Sequence, residues 1–246
     1  MSSSGKGRLA SIISRADVRR NTPPRAGVPW VPLYQGNGRF GSCYGPWGLH
    51  VAGSPPYPIH GKTQFMHLQH YARAAFGADY LLPLAKIHWE IEPEGVSEYR
   101  QEQSFYDGTV TTFFDAGEYA AEVVSWFDPV GRNMAGFLFD VGGERPAVVV
   151  EPFREVDVHY DQHLDADFRA SVQGNRWQAK MKCLNASANF SVRSNADLEA
   201  FEDGVKLRLP EGRSWVLVAV NGEPDVGAEE HTIPGLVRAL AASYTV

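Results

Sequence analysis

Leu84-Ala85-Lys86-Ile87-His88-Trp89-Glu90-Ile91-Glu92 alternates apolar and polar side chains over most of its length. On an extended chain Ile87, Trp89 and Ile91 project to one side, and Lys86, His88, Glu90 and Glu92 to the other. That is a strand with one dry face and one wet face. The same period of two persists downstream. Asp107-Gly108 marks a turn into residues 110–114, and Asp115-Ala116-Gly117 turns the chain into residues 118–127. Each corner carries residues that tolerate positive φ, as hairpin turns require. Similar runs follow at 134–140, 147–151, 168–172, 177–182, 188–193, 205–209 and 215–220. Gly142-Gly143, Gly174-Asn175 and Glu211-Gly212 punctuate them. About ten or more short strands at this spacing predict an all-β chain, built as a large antiparallel sandwich.

Strand–helix alternation and a glycine-rich phosphate loop are both missing, which excludes the nucleotide-cofactor folds; no cofactor is expected. One or two short helices accompany the strands. Residues 63–76 place Phe65, Leu68, Ala72 and Phe76 near one helical face. At the C-terminus Thr232 can cap a helix, with Pro234 in its first turn and Leu236, Val237 and Leu240 toward the core. The chain divides into an N-terminal extension and lead-in strand (1–30), the sandwich (31–230), and a C-terminal helix or linker start (231–246).

Over its 246 residues the chain carries a formal net charge of −6. It therefore lacks the basic stripe by which a nucleic-acid partner is held. No apolar run approaches the roughly 18 residues of a membrane span. The apolar patch at 9–13 is too short for a secretory leader, which points to the cytoplasm, or to secretion if the natural protein begins upstream of Met1. Cys43 and Cys183 are expected as free thiols.

Pro32-Leu33-Tyr34-Gln35-Gly36-Asn37-Gly38-Arg39-Phe40-Gly41 describes a sharp glycine turn feeding a strand. It resembles the LxxGNGxxG signature near the start of six-hairpin (α/α)6-barrel glycoside hydrolases and sugar phosphorylases. Other segments line up in order. Residues 16–23 resemble a lead-in found in some members, and Trp47-Gly48-Leu49-His50 the strand after the glycine turn. The run from Tyr99 through Asp107-Gly108 and Tyr119 to Ser125-Trp126-Phe127-Asp128 resembles the family's meander, and residues 214–221 its late strand. The likeness spans roughly residues 12 to 225. Tyr34-Gln35 departs from it, standing where a small or apolar lead-in is usual.

The resemblance implies an N-terminal β-supersandwich domain, an architecture shared with galactose mutarotases. In the resembling enzymes the general acid and its partner carboxylate lie on the helical barrel, and this chain stops where that barrel should begin. The resemblance thus implies a module without catalytic residues of its own. Its partners would be carbohydrate and a helical-barrel catalytic domain or subunit, or a second copy of the chain.

Asn37 and Arg39, in the glycine turn, are candidates to contact sugar or the partner domain. Trp47, between Pro46 and Gly48, is the candidate exposed aromatic for stacking on a sugar ring, with His50 beside it. An alternative is a mutarotase- or epimerase-like enzyme, in which a histidine and a carboxylate act as acid and base; His88 with Glu90, or His159 with Asp161, would serve. A third is a stand-alone sugar-binding module. No metal is expected, and the weak option is His67 with His70, three apart on a helix. Residues 157–167 carry polar groups at every second position and read as a solvated edge strand or loop.

Overall fold

The computed structural model describes residues 11, 13–36, 40–50, 68–73, 79–128, 134–144, 146–152, 155–158, 162–165, 167–183, 186–201 and 204–220. Among these, helical geometry is confined to a few residues ahead of the first strand, ending in the 3-10 turn Ser14–Ala16. None of the described residues forms a helix long and apolar enough to cross a membrane.

The chain begins with β1 (Val18–Arg20), β2 (Leu33–Gly36), β3 (Phe40–Tyr44), β4 (Leu68–Arg73) and β5 (Asp79–Trp89). A meander follows: β6 (Glu98–Ser104), β7 (Thr109–Asp115), β8 (Tyr119–Phe127) and β9 (Met134–Gly143). Next come β10 (Ala147–Pro152), β11 (Glu155–Val158), β12 (Gln162–Asp165), β13 (Asp167–Gln173) and β14 (Arg176–Cys183). The last described strands are β15 (Ala186–Ser194), β16 (Asp197–Phe201), β17 (Gly204–Arg208) and β18 (Gly212–Val220).

Among the described residues these strands form a nine-stranded sheet, β1-β6-β7-β8-β9-β18-β15-β14-β13, and a seven-stranded sheet, β16-β17-β10-β5-β4-β3-β2. A separate ribbon pairs β11 with β12. Every described pairing is antiparallel. The chain passes between the large sheets at β1–β2, β5–β6, β9–β10, β15–β16 and β17–β18, and from β10 to β13 by way of the β11–β12 ribbon, so the two layers are woven together. The fold is the all-β, antiparallel, two-layer architecture that the period of two predicts.

The expected helix at 63–76 is corrected. Leu68–Arg73 is β4, paired with β3 on one side and β5 on the other. A short run of apolar residues three or four apart does not distinguish helix from strand, and pairing on both edges decides for strand. The helix expected from Thr232 lies outside the described residues. The polar run at 157–167 falls partly on the β11–β12 ribbon, where Glu155 pairs with Asp165 and Val158 with Gln162.

The interior is aromatic. Trp89 packs edge-on against Phe114 of β7 at 5.7 Å and against Phe139 of β9 at 5.8 Å, so one residue of the seven-stranded sheet grips two strands of the other. Such edge-to-face pairs each add to the gain from burial alone. In β5 the dry face holds Ile87 and Trp89, at 0% and 1% exposure, and the same alternation buries Val110, Thr112 and Phe114 in β7.

Between the layers lies a buried turn, residues 45–50. The resemblance reads Trp47-Gly48-Leu49-His50 as a strand; the structure makes it a turn closed by the Gly45 N–H donating to the Leu49 carbonyl at 2.8 Å. Gly48 has φ +76°, and a Cβ there would meet Thr112 and Val123 side chains at 3.0 Å, so only glycine fits. Side chains supply the turn's missing hydrogen bonds. Trp89 Nε1–H donates to the Trp47 carbonyl at 3.0 Å, the Tyr99 hydroxyl to Pro46 O at 2.8 Å, and Gln101 Nε2–H to Gly45 O at 2.9 Å.

Gln35 makes a second tie between layers. From β2 its amide donates to the carbonyls of Gly108 and Ser125, at 2.7 and 3.1 Å, and its Oε1 accepts from the Ser125 hydroxyl at 2.9 Å. Its neighbour Tyr34 points outward at 57% exposure. Gln35→Leu keeps the volume and removes these bonds. We expect a loss of about 1–3 kcal/mol in urea unfolding with an unchanged denaturant slope. An unaltered midpoint would show that the amide does not brace the layers.

Candidate functional site

The glycine corner is the β2–β3 hairpin, paired from Leu33 opposite Tyr44 to Gly36 opposite Gly41. Asn37 and Arg39, which follow β2 in sequence, lie outside the described residues, as do His67, His159 and Asp161. His70 is on β4, so the helical spacing that would have joined it to His67 is not its geometry. Among the described residues no cluster of His, Cys, Asp or Glu is arranged to hold a metal ion.

Trp47 and His50 are described, and both are interior. Trp47 is 7% exposed, edge-on to Tyr99 and Phe114, so the expectation of an exposed stacking aromatic is corrected. The flanking Pro46 and Gly48 signal a turn, but this turn folds inward because Trp89, Tyr99 and Gln101 satisfy its backbone. His50 is 2% exposed. The Ile87 N–H donates to its Nδ1 at 2.7 Å, which leaves the proton on Nε2 to donate to the Ser42 hydroxyl at 2.5 Å. Its ring lies parallel to that of Tyr44. Both residues brace the sandwich.

Of the two acid–base pairs named from the sequence, His88 with Glu90 is the one that is described, and both residues line one surface groove. The wet faces of β5, β10, β17 and β16 form one row, with His88 opposite Val149, Val149 opposite Lys206, and Lys206 opposite Glu199. A groove of about 300 Å³ opens over this row, lined by His88, Glu90, Val149, Glu151, Glu199, Phe201 and Lys206. Lys206 pairs with Glu90, and Arg208 holds Glu199 through Nη2 at 2.7 Å and Nε at 3.1 Å. The Arg208 hydrogen bonds keep the Glu199 carboxyl below its ordinary range.

His88 faces a different carboxylate from the one expected. Its Nδ1 lies 2.9 Å from the Trp89 carbonyl, which can only accept, so Nδ1 carries the hydrogen. Nε2 is shut away from solvent, has no hydrogen bond of good geometry, and sits 3.1 Å from Glu151 Oε2. A proton on Nε2 would set an imidazolium 3.1 Å from the Glu151 carboxylate, so the pair is chemically able to pass one proton. At the rim Phe201 is 40% exposed. Gly204 leaves room beside it: a Cβ there would lie 3.2 Å from the Phe201 ring and 2.1 Å from Val150 O.

Sequence reasoning found His88 and Glu90 but missed Glu151, Lys206, Glu199 and Phe201. Each sits on the wet side of its strand, and strand order alone brings the four together from distant parts of the chain.

No protein-family model matches the chain, and no curated protein matches it. Among solved structures it is similar to a chain described as "Putative kojibiose phosphorylase from human microbiome", with a TM-score of 0.52 and 12% sequence identity. The match covers 94% of this chain and 35% of the other, so the present chain spans about a third of its neighbour's length. At that identity the likeness is one of fold.

Cys43, in β3, is a free thiol that burial pushes up from near 9 to about 11. Thiolate is the reactive form, so at pH 8 the thiol should alkylate about a hundredfold more slowly than an exposed cysteine. Its rate should climb with pH until about 11. Iodoacetamide labelling of a Cys183→Ser variant measures this directly; a rate plateau near pH 9 would show that the thiol is solvated.

Proposed function

We propose that this chain is a non-catalytic β-sandwich module of a carbohydrate-active protein of the glycoside hydrolase or sugar phosphorylase kind. It supports a helical-barrel active site carried by a further domain or by a partner chain. The observation that carries this reading is the fold likeness, which runs through nearly all of this chain and about a third of its neighbour. Fold alone never assigns chemistry, so the reading also rests on the site. Glycoside cleavage needs two carboxylates poised across one bond. In the groove Glu90 and Glu199 are engaged by Lys206 and Arg208, and only Glu151 faces a proton carrier. On this reading the supporting domain would be 31–230, with β1 of the lead-in segment added at the edge of its nine-stranded sheet, and the residues after it would start the connection to the barrel.

A second reading is favoured by one observation, the His88–Glu151 contact. A mutarotase- or epimerase-like enzyme would use such a pair as acid and base on a sugar.

Two assays separate these readings. The purified chain should release no sugar or sugar phosphate above the blank from a disaccharide panel that includes kojibiose, with or without inorganic phosphate. Sustained turnover would overturn the module reading. Polarimetry of freshly dissolved α-D-glucose should follow the uncatalysed rate. Acceleration that disappears in both His88→Ala and Glu151→Gln would establish the second reading instead.

A further inference from the structure

On the outer face of the nine-stranded sheet, Arg19 lies directly opposite Glu102 and Arg213 directly opposite Asp140, each joined as an ion pair. The β13 end of the same sheet departs from that pattern. There Arg169 of β13 is opposite Lys180 of β14, and Arg176 of β14 is opposite Arg193 of β15. All four project outward, since the alternate positions Trp177, Ala179, Phe190 and Val192 belong to the core. Like charges set directly opposite one another destabilise a sheet. Arg176 records the crowding: burial, and then the Arg193 charge, push its guanidinium below the ordinary range. A shallow groove of about 280 Å³ opens over these strands. Arg169, Arg176 and Lys180 line it with Ser171, Gln178 and Ser191, and its described lining includes no carboxylate.

We infer that this face seats residues 221–230 of the same chain, whose carboxylates Glu223, Asp225, Glu229 and Glu230 neutralise the two like-charged pairs. Residues 221–230 lie outside the described residues, and three observations choose them as the occupant. The first is charge. The segment carries four carboxylates and neither lysine nor arginine, against four cations on the face. Four against four leaves no surplus positive charge of the kind a nucleic acid would need. The second is position. β18 ends at Val220, opposite Phe190 of β15, and the adjacent Asn189 is in register with Lys180 and, through it, with Arg169. The chain therefore leaves β18 level with the Arg169–Lys180 row, and Arg193, opposite Leu217, lies only three residues back along β18. The third is reach. β13 is three strands from β18, about 14 Å at ordinary strand spacing, and ten extended residues span up to about 33 Å. The inference needs neither functional reading.

Carbodiimide coupling of the purified chain tests this, because it forms an amide only between an amine and a carboxylate already in contact. Peptide mapping by mass spectrometry should find Lys180 joined, within one chain, to Glu223, Asp225, Glu229 or Glu230. Urea unfolding gives a second readout. Glu223→Gln, Asp225→Asn, Glu229→Gln and Glu230→Gln together should lower the midpoint in low salt. The loss should shrink by at least about half in about 0.5 M NaCl, where the screening length is roughly 4 Å. It should shrink as much when Arg169→Gln and Lys180→Gln are already present. Coupling of Lys180 only to acids of residues 155–167, only to a second chain, or to no carboxylate would overturn the inference. So would a midpoint that the four neutral substitutions leave unchanged or raise. The cross-link is read on the unaltered chain, so a poorly folding variant leaves the test standing.

Discussion

A stretch of irregular backbone, residues 45–50, is buried between two β-sheets, and its polar groups must be satisfied there. Buried carbonyls left without partners would cost about 1–3 kcal/mol each. The chain answers with three donors from the sheets themselves. Trp89 comes from the seven-stranded layer, and Tyr99 and Gln101 from the nine-stranded one. The His50 N–H donates to the Ile87 carbonyl, which makes the turn an extension of the β5 edge. The same Trp89 ring that caps the turn also fills the aromatic core between β7 and β9. Hydrogen bonding and packing therefore constrain one another at a single residue. Layer separation, turn and core form one unit.

That unit determines where function can reside. Trp47 and His50 are committed to the interior, so neither can meet a ligand without opening the sandwich. The outward rows of the seven-stranded sheet are free of that duty. Strand order places four of those rows side by side, and there a histidine, three carboxylates, a lysine and an aromatic ring share one groove. The inner faces hold the layers together, and the outer face gathers these polar side chains. This division is the one that the period of two imposes on every strand.

Much of this was legible in the residues. Leu84–Glu92 reads as a strand with a dry and a wet side, and β5 is that strand as far as Trp89; Ile91, read as dry, lies past its end and is 77% exposed. The turns at Gly108, Gly117, Gly143, Gly174 and Gly212 all have positive φ, as their dipeptides suggest. Other features were not legible, for definite reasons. Leu68–Arg73 mimics a helical face because six residues are too few to separate the two periods. Trp47 looked exposed because Pro46 and Gly48 signal a turn, and turns usually lie outside; no local pattern announces distant donors such as Gln101. The Tyr34-Gln35 departure is explained only by the other sheet, whose Gly108 and Ser125 carbonyls Gln35 meets. His88 and Glu90 were found by type and spacing. Their neighbours Glu151, Lys206 and Phe201 were not, because register between strands far apart in sequence is written in no single segment.

Native-state hydrogen exchange measures most directly whether the buried turn and the two layers are one cooperative unit. The amides of Gly45 and His50 should exchange only through global unfolding, with the same opening free energy and denaturant dependence as the central amides of β5 and β9. Exchange of those two amides through a local opening several kcal/mol easier, with both sheets still protected, would contradict the account.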